Sequence, residues 1–211
     1  MKGDETEALR ARLDDLARRA GRLWTPLCSR FLTQEERSLA QRCARENGVL
    51  AAFDGGWEGA ERSQCCFYPD GLEPDFTGVW LEVSWNAKFA AVDHRALLGS
   101  VMALGMDRSL LGDMVIEGDH AYIRAVPELA ARLPQELTRV GSATVKVRER
   151  SEPPAITPPK GTELRDTVAS LRLDSVLSSG MKTSRAKATE WIRQGAVQVN
   201  HTATERVDQQ L

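Results

Sequence analysis

The chain has few cysteines and no apolar run long enough to span a membrane. Its four cysteines are Cys28, Cys43, Cys65 and Cys66. They form no CxxC pair and no Cys/His cluster, which argues against a zinc site. We expect Cys65 and Cys66 to be buried strand residues rather than a disulfide, as in a reducing cytoplasm. The charged start MKGDETEALR is not typical of a signal peptide, so no membrane partner is expected.

The chain also lacks a strong excess of either charge. It has 28 Lys and Arg against 30 Asp and Glu, a net charge of −2 over 211 residues. The distribution is uneven, because residues 160–211 hold eight basic and six acidic side chains and residues 1–159 hold 20 and 24. Any affinity for a polyanion is therefore expected to be local and C-terminal.

Hydrophobic periodicity predicts an α+β fold in three parts. The N-terminal α/β domain is expected over 1–75. Its predicted elements are helices at 5–23 and 34–47 and strands at 49–53 and 65–68, with Gly55, Gly56 and Gly59 in a sharp turn between the strands. These glycines do not open a helix with P-loop or GxGxxG spacing, which disfavours a nucleotide site.

The central domain is expected over 76–150 as a sheet with helices, with a ferredoxin-like or RRM-like arrangement as one option. Its predicted elements are helices at 97–104 and 128–140, the second interrupted at Pro134, and strands at 80–85, 114–116, 121–126 and 145–148. Residues 151–161, SEPPAITPPKG, contain four prolines and are expected to be a linker. A small C-terminal domain should follow at 162–211.

The C-terminal stretch predicts two short helices and a strand. Leu173, Val176 and Leu177 have helical spacing, and a break is expected at residues 178–180. Thr183 or Ser184 can cap the next helix. Its apolar face should comprise Ala188, Trp191 and Ile192, with Arg185 and Arg193 directed away from it. Gly195 should end that helix, and Val197 and Val199 alternate as in a strand.

The pattern RLD…SR…A…WI..G.V.VN resembles the small RNA-binding domain first seen in ribosomal protein S4. The resemblance implies that this αα-β unit contacts the RNA backbone. The implied RNA-binding residues are Arg172, Lys182, Thr183, Ser184, Arg185, Lys187, Arg193 and Asn200. Cations, hydroxyl groups and a helix N-terminus are the groups that phosphate contacts require. The alternative is an ordinary solvated helix face.

Two further motifs resemble the YlmH-type RNA-binding proteins. The first is GGxxGAER at 55–62. The second joins His94-Arg95, Leu98-Gly99, Leu104-Gly105, Arg108 and Gly112-Asp113-Met114. The resemblance implies a non-catalytic monomer without a cofactor. Its expected partner is structured ribosomal RNA or tRNA on the large ribosomal subunit, in quality control of stalled translation. The expected location is the cytoplasm, or the plastid stroma in a photosynthetic lineage.

A second phosphate-binding set is predicted from Arg62, His94, Arg95 and Arg108, because guanidinium groups match phosphate oxygens. The alternative is that these cations pair with nearby acids. The candidate acids are Glu61, Asp93, Asp107 and Asp113. A catalytic role for His94 is less favoured, since no nucleophile lies in a recognisable motif.

Two other functions remain open. Arg172-Leu173-Asp174 matches the RLD of pseudouridine synthases, but RLDSVLSSG is one residue longer than RLDxxTSG, so we interpret Asp174 as a helix N-terminal carboxylate. A protein-interaction module with a vestigial RNA domain is the third hypothesis. The family's RNA domain continues with a further basic strand after the equivalent of Asn200, so we expect this C-terminal domain to be incomplete.

Overall fold

A computed structural model describes residues 2–88, 91–156, 163–199 and 202–211. It divides the chain into two compact units, Met1–Pro158 and Pro159–Leu211. Part of the predicted linker and the predicted site residue Asn200 lie outside the described residues. The α+β fold class is confirmed.

The first half of unit 1 packs two helices on a three-stranded antiparallel sheet. Its elements are α1 (Lys2–Leu23), β1 (Leu27–Leu32), α2 (Gln34–Glu46), β2 (Leu50–Asp54) and β3 (Ser63–Tyr68), in the sheet order β1-β3-β2. Thr33 and Glu36 form the capping box at the start of α2. Strand β1 was not expected, since CSRFL lacks clean alternation; a register shift between Cys28 and Phe31 disturbs the pattern.

The cysteines of this half confirm one expectation. Cys65 and Cys66 are buried in β3 and all four thiols are free. Cys28 lies opposite Cys66 in the register of β1 and β3. Burial raises the pKa of the Cys65 thiol to about 12, so it behaves as a small apolar side chain.

The second half of unit 1 is a five-stranded antiparallel sheet with two helices. Its elements are β4 (Val79–Trp85), α3 (His94–Ala103), β5 (Leu111–Glu117), β6 (His120–Ala125), α4 (Pro127–Glu136), β7 (Arg139–Val140) and β8 (Ala143–Arg150). The sheet order is β5-β6-β4-β8-β7. Leaving aside β7, the β-α-β-β-α-β order with β4 central is the ferredoxin-like arrangement, which confirms that option.

The two faces of this sheet differ. One face carries Leu81, Val83 and Ile123, which form a core with apolar side chains of α3 and α4. The other face carries the alternate residues, among them Glu82 and Tyr122, which lie opposite each other in the register. Side chains alternate between the faces of a strand, so helices cover one face. The other face carries polar groups and also the buried Trp80, beside which Arg124 pairs with Asp54 of β2.

The predicted helix 128–140 is wrong in length. Helix α4 ends at Glu136 and residues 139–140 already form β7. Pro134 lies inside α4 and has no N–H to continue the ladder, and the helix ends two residues later.

Unit 2 contains α5 (Leu173–Gly180), α6 (Arg185–Arg193) and a two-stranded ribbon, β9 (Gln198–Val199) with β10 (Thr202–Ala203). The break expected at residues 178–180 is wrong, because α5 continues to Gly180. Lys182, with φ 49°, adopts the left-handed conformation that turns the chain toward α6. Ala188 and Ile192 are fully buried and Trp191 is half-buried.

The last residues close onto the start of α5. The N–H of Leu173 donates to the carbonyl of Gln209 at 2.8 Å, and the N–H of Leu211 donates to Leu171 at 3.0 Å. Arg172 and Gln210 form an isolated bridge. These bonds satisfy backbone groups at a helix start where no side chain acts as a cap. Among the described residues no helix is long and apolar enough to cross a membrane.

Candidate nucleic-acid interface

Asp174 is the centre of the site in unit 2. It lies in the first turn of α5, and its side chain is only 6% exposed. Arg172 donates from Nε and Nη2 to its two oxygens at 3.1 and 3.2 Å. Arg185, at the start of α6, donates from Nε at 2.9 Å. Asp174 therefore connects the beginnings of both helices through two guanidinium groups.

The charge on Asp174 is strongly favoured. Hydrogen bonds from Arg172 and then Arg185 outweigh the cost of burial and lower its pKa to about 2, from an ordinary value of 3.8. The carboxylate therefore stays ionised and holds both cations in place. The sequence predicted Asp174 as a carboxylate at a helix N-terminus, which agrees with its position, but it did not predict Arg172 and Arg185 as its partners.

The first turn of α6 has the predicted cap. Ser184 accepts a hydrogen bond from the backbone N–H of Lys187 at 3.2 Å, and Thr183 is not the cap residue. The remaining N–H groups of that turn carry partial positive charge beside Arg185. This arrangement of a cap hydroxyl, a guanidinium and a helix start suits a phosphate oxygen.

The cations of unit 2 remain open to solvent. The Arg185 side chain is 57% exposed despite its ion pair, and the Lys187 side chain is 54% exposed with Glu190 at 4.0 Å. Lys182 and Arg193 are exposed, and no side-chain hydrogen bond or ion pair is found for either within the described part of unit 2. The prediction that Arg185 points away from the packed face of α6 is wrong, because its guanidinium is directed toward Asp174 of α5.

The predicted second phosphate set is divided. Arg62 donates from Nε to the carbonyl of Leu111 at 3.1 Å and from Nη2 to that of Phe31 at 2.9 Å. Arg108 donates from Nη1 to the same Leu111 carbonyl at 2.8 Å. Burial lowers the pKa of both guanidinium groups. These two arginines are brought together, and they bind backbone carbonyls.

His94 and Arg95 share no polar contact with Arg62 or Arg108 among the described residues. They are the first residues of α3, both exposed, and Asp93 caps the helix by accepting from the N–H of Ala96 at 2.7 Å. Across the described ranges no hydrogen bond or ion pair joins either side chain to Arg62 or Arg108. The second set thus remains a prediction.

The acids proposed as ion partners for the second set have other roles. Asp113 accepts from the backbone N–H groups of Glu61 and Arg62 at 2.8 and 3.1 Å. Asp107 caps the short turn Arg108–Leu110 and lies 3.5 Å from Arg30. Arg62 and Arg108 form no ion pair within the described residues.

A second buried carboxylate was missed by the sequence analysis. Glu82 lies on the helix-free face of the five-stranded sheet, with its side chain 3% exposed. It accepts from Arg148 and from Arg150 at 2.6 Å each, and His120 lies 3.7 Å away. The alternation of Lys146, Arg148 and Arg150 in β8 was the available pattern, but its partner on β4 depends on the strand register.

Comparisons with known proteins agree with this structure. Residues 72–152 match the family model described as "Putative RNA-binding domain in YlmH", and residues 171–209 match the S4 domain. The ribosome-associated protein quality control protein P2 of Bacillus subtilis is 32% identical over 179 residues, which cover 83% of this chain and 70% of that protein. The chain belongs to the YlmH family.

One solved structure supports the fold. The cell division protein ylmH from Streptococcus pneumoniae superposes with a TM-score of 0.57 at 22% identity, covering 69% of this chain and 91% of that one. Membership of the YlmH family confirms the expected resemblance, and the S4 match confirms the C-terminal RNA-binding domain. These matches give no evidence for the pseudouridine synthase alternative.

Proposed function

We propose that this YlmH-family protein binds structured ribosomal RNA, or tRNA on the large ribosomal subunit, through unit 2 and without catalysis. The proposed setting is ribosome-associated quality control in the cytoplasm. The name of the Bacillus subtilis relative supports the setting, and the S4 match supports RNA as the partner.

The observation that carries the proposal is the position of the two arginines around Asp174. A carboxylate that is ionised and buried fixes Arg172 and Arg185, and the Arg185 side chain remains more than half exposed. Fixed guanidinium groups lose less entropy when they bind a phosphate than free ones do. The same hydrogen bonds occupy both carboxylate oxygens, which disfavours Asp174 as a nucleophile.

The test removes charge without adding a carboxylate beside Asp174. Arg185→Gln with Lys187→Gln should weaken binding to ribosomal RNA about tenfold and lower the slope of log affinity against log salt by about 1.8, at about 0.9 per phosphate contact. Filter binding at two salt concentrations measures both quantities, and co-sedimentation with large subunits measures ribosome association.

The matched control is Arg165→Gln with Arg206→Gln, which removes two exposed cations of unit 2 outside the predicted set. This control should bind nearly as the wild type does. Equal losses in the two double variants would contradict the proposed surface and indicate a general charge effect.

A further inference from the structure

The helix-free face of the five-stranded sheet carries an ordered row of cations. Lys146, Arg148 and Arg150 occupy alternate positions of β8, so they point to the same face. Alternate residues of a strand lie about 6.6 Å apart. That spacing is comparable with the separation of successive phosphates along an extended RNA strand. We call these three residues the cation row.

Glu82 fixes two members of this row. Its carboxylate lies between Arg148 and Arg150, at 2.6 Å from each, because the register places Glu82 of β4 opposite Arg148. Burial opposes ionisation, but the hydrogen bonds from Arg150 and Arg148 lower the pKa of Glu82 overall. One negative charge thus orders two positive ones, and with Lys146 the group keeps an excess of two positive charges.

The exposed fractions show that the row is accessible. The Arg148 side chain is 71% exposed although it is paired, Lys146 is exposed, and Arg150 is 30% exposed. Helices α3 and α4 pack on the opposite face of the sheet. Arg148 thus keeps most of its side-chain surface open to solvent while it is paired with Glu82, and Lys146 adds a third accessible cation to the row.

An aromatic side chain lies beside the row. Tyr122 is on β6, opposite Glu82, and the Arg150 guanidinium lies over its ring at 5.4 Å from the centroid. Both a tyrosine ring and a guanidinium plane can stack on an unpaired base. RRM domains, whose four-stranded sheet has this topology, bind single-stranded RNA by stacking bases on aromatic residues of the central strands. Tyr122 is half-buried on such a strand.

We infer that this face is a second RNA-binding surface, in which the cation row follows the backbone of a single-stranded segment and the Tyr122–Arg150 pair takes a base. The surface lies in unit 1 and does not depend on the Asp174 site. It gives the YlmH-type domain matched at 72–152 a specific set of contact residues.

The test uses the full chain and a labelled single-stranded RNA of about 12 nucleotides, within the usual range of site sizes. Lys146→Gln with Arg148→Gln leaves the Arg150–Glu82 pair in place. Affinity should fall about fivefold, and the salt slope should fall by about 1.4 for two lost contacts at about 0.7 each. Arg42→Gln with Arg132→Gln removes two exposed cations elsewhere in unit 1 and should change neither.

Crosslinking separates this inference from the proposed function. Single-stranded RNA containing 4-thiouridine should crosslink to the peptide around Tyr122, and this product should persist when Arg185→Gln and Lys187→Gln disable unit 2. Crosslinks confined to residues 171–211, with an unchanged salt slope in the row variant, would overturn the sheet surface and leave the unit 2 proposal intact. Failure of the wild type to bind either RNA would overturn both.

Discussion

Two buried carboxylates, Glu82 and Asp174, each hold two arginines, but they do so by different means. The partners of Glu82 both come from β8, two residues apart, and the strand register delivers them together. The partners of Asp174 come from its own helix start and from α6. The first arrangement therefore depends on a sheet and the second on the packing of two short helices.

The difference shows two ways of displaying cations on a small protein. A carboxylate within a sheet orders cations in a line, because alternate residues of a strand follow one another at a fixed distance. A carboxylate between two helix starts holds cations close to free helix N–H groups, which also carry partial positive charge. We propose that the first arrangement contacts an extended chain of phosphates and that the second contacts a phosphate of a folded RNA.

The largest expected effect comes from removing the carboxylate in the sheet. Glu82→Ala removes the buried carboxylate that accepts charge-assisted hydrogen bonds from both Arg148 and Arg150, and the loss of these two bonds should destabilise unit 1 by about 3 kcal/mol. Urea unfolding followed by tryptophan fluorescence measures this. The control is Glu149→Ala, an exposed residue of the neighbouring strand β8, and an equal loss there would contradict a special role for Glu82.

A smaller loss is expected in unit 2. Asp174→Asn keeps the side-chain shape but removes the charge that Arg172 and Arg185 bind, and it should cost about 2 kcal/mol. The cost is lower than for Glu82→Ala because the Asn side chain keeps an amide oxygen that can still accept a hydrogen bond from an arginine, whereas Ala keeps no acceptor. Thermal unfolding of the full chain, with Glu205→Gln as the matched control, measures this. A loss above that of Glu82→Ala would reverse the comparison.

The smallest effect is a dependence on pH. The pKa of Asp174 is lower in the folded state, about 2 against 3.8, so its contribution is complete well above pH 3.8 and disappears as the pH falls toward 2. Between about pH 5 and pH 3 the stability of unit 2 should fall by about 1 kcal/mol through this group. Subtracting the unfolding curve of Asp174→Asn from that of the wild type isolates it. A difference that stays constant over this interval would exclude an ionised, paired Asp174.

The sequence predicted local features well and partners poorly. The cap at Ser184 and the end of α6 next to Gly195 follow from residues within three or four positions. The roles of Asp174 and Glu82 do not, because Arg185 is eleven residues from Asp174 and Arg148 is 66 residues from Glu82. The sequence shows which residues are ionisable. It does not show which strand register or which pair of helices brings two of them into contact.

The same limit explains the two arginines of the second set. Arg62 and Arg108, two of the four predicted residues, both donate to the carbonyl of Leu111, and their hydrogen bonds go to backbone carbonyls rather than to the acids named as alternative partners. Those carbonyls become available where β1 and β5 approach, and nothing in the local sequence indicates that approach. Family motifs can therefore identify a cluster without identifying its role.

The contacts of Arg62 have a practical consequence. Its guanidinium donates to the carbonyl of Phe31 in the first sheet and to that of Leu111 in the second, and the Asp113 carboxylate of the second sheet accepts hydrogen bonds from the backbone N–H groups of Glu61 and Arg62. In a fragment ending near residue 75, Arg62 would lose the Leu111 carbonyl as an acceptor. In the complementary fragment, Asp113 would lose the two N–H groups that donate to it. Truncated variants of this protein should therefore end after both sheets, at the end of unit 1, and not between the two sheets.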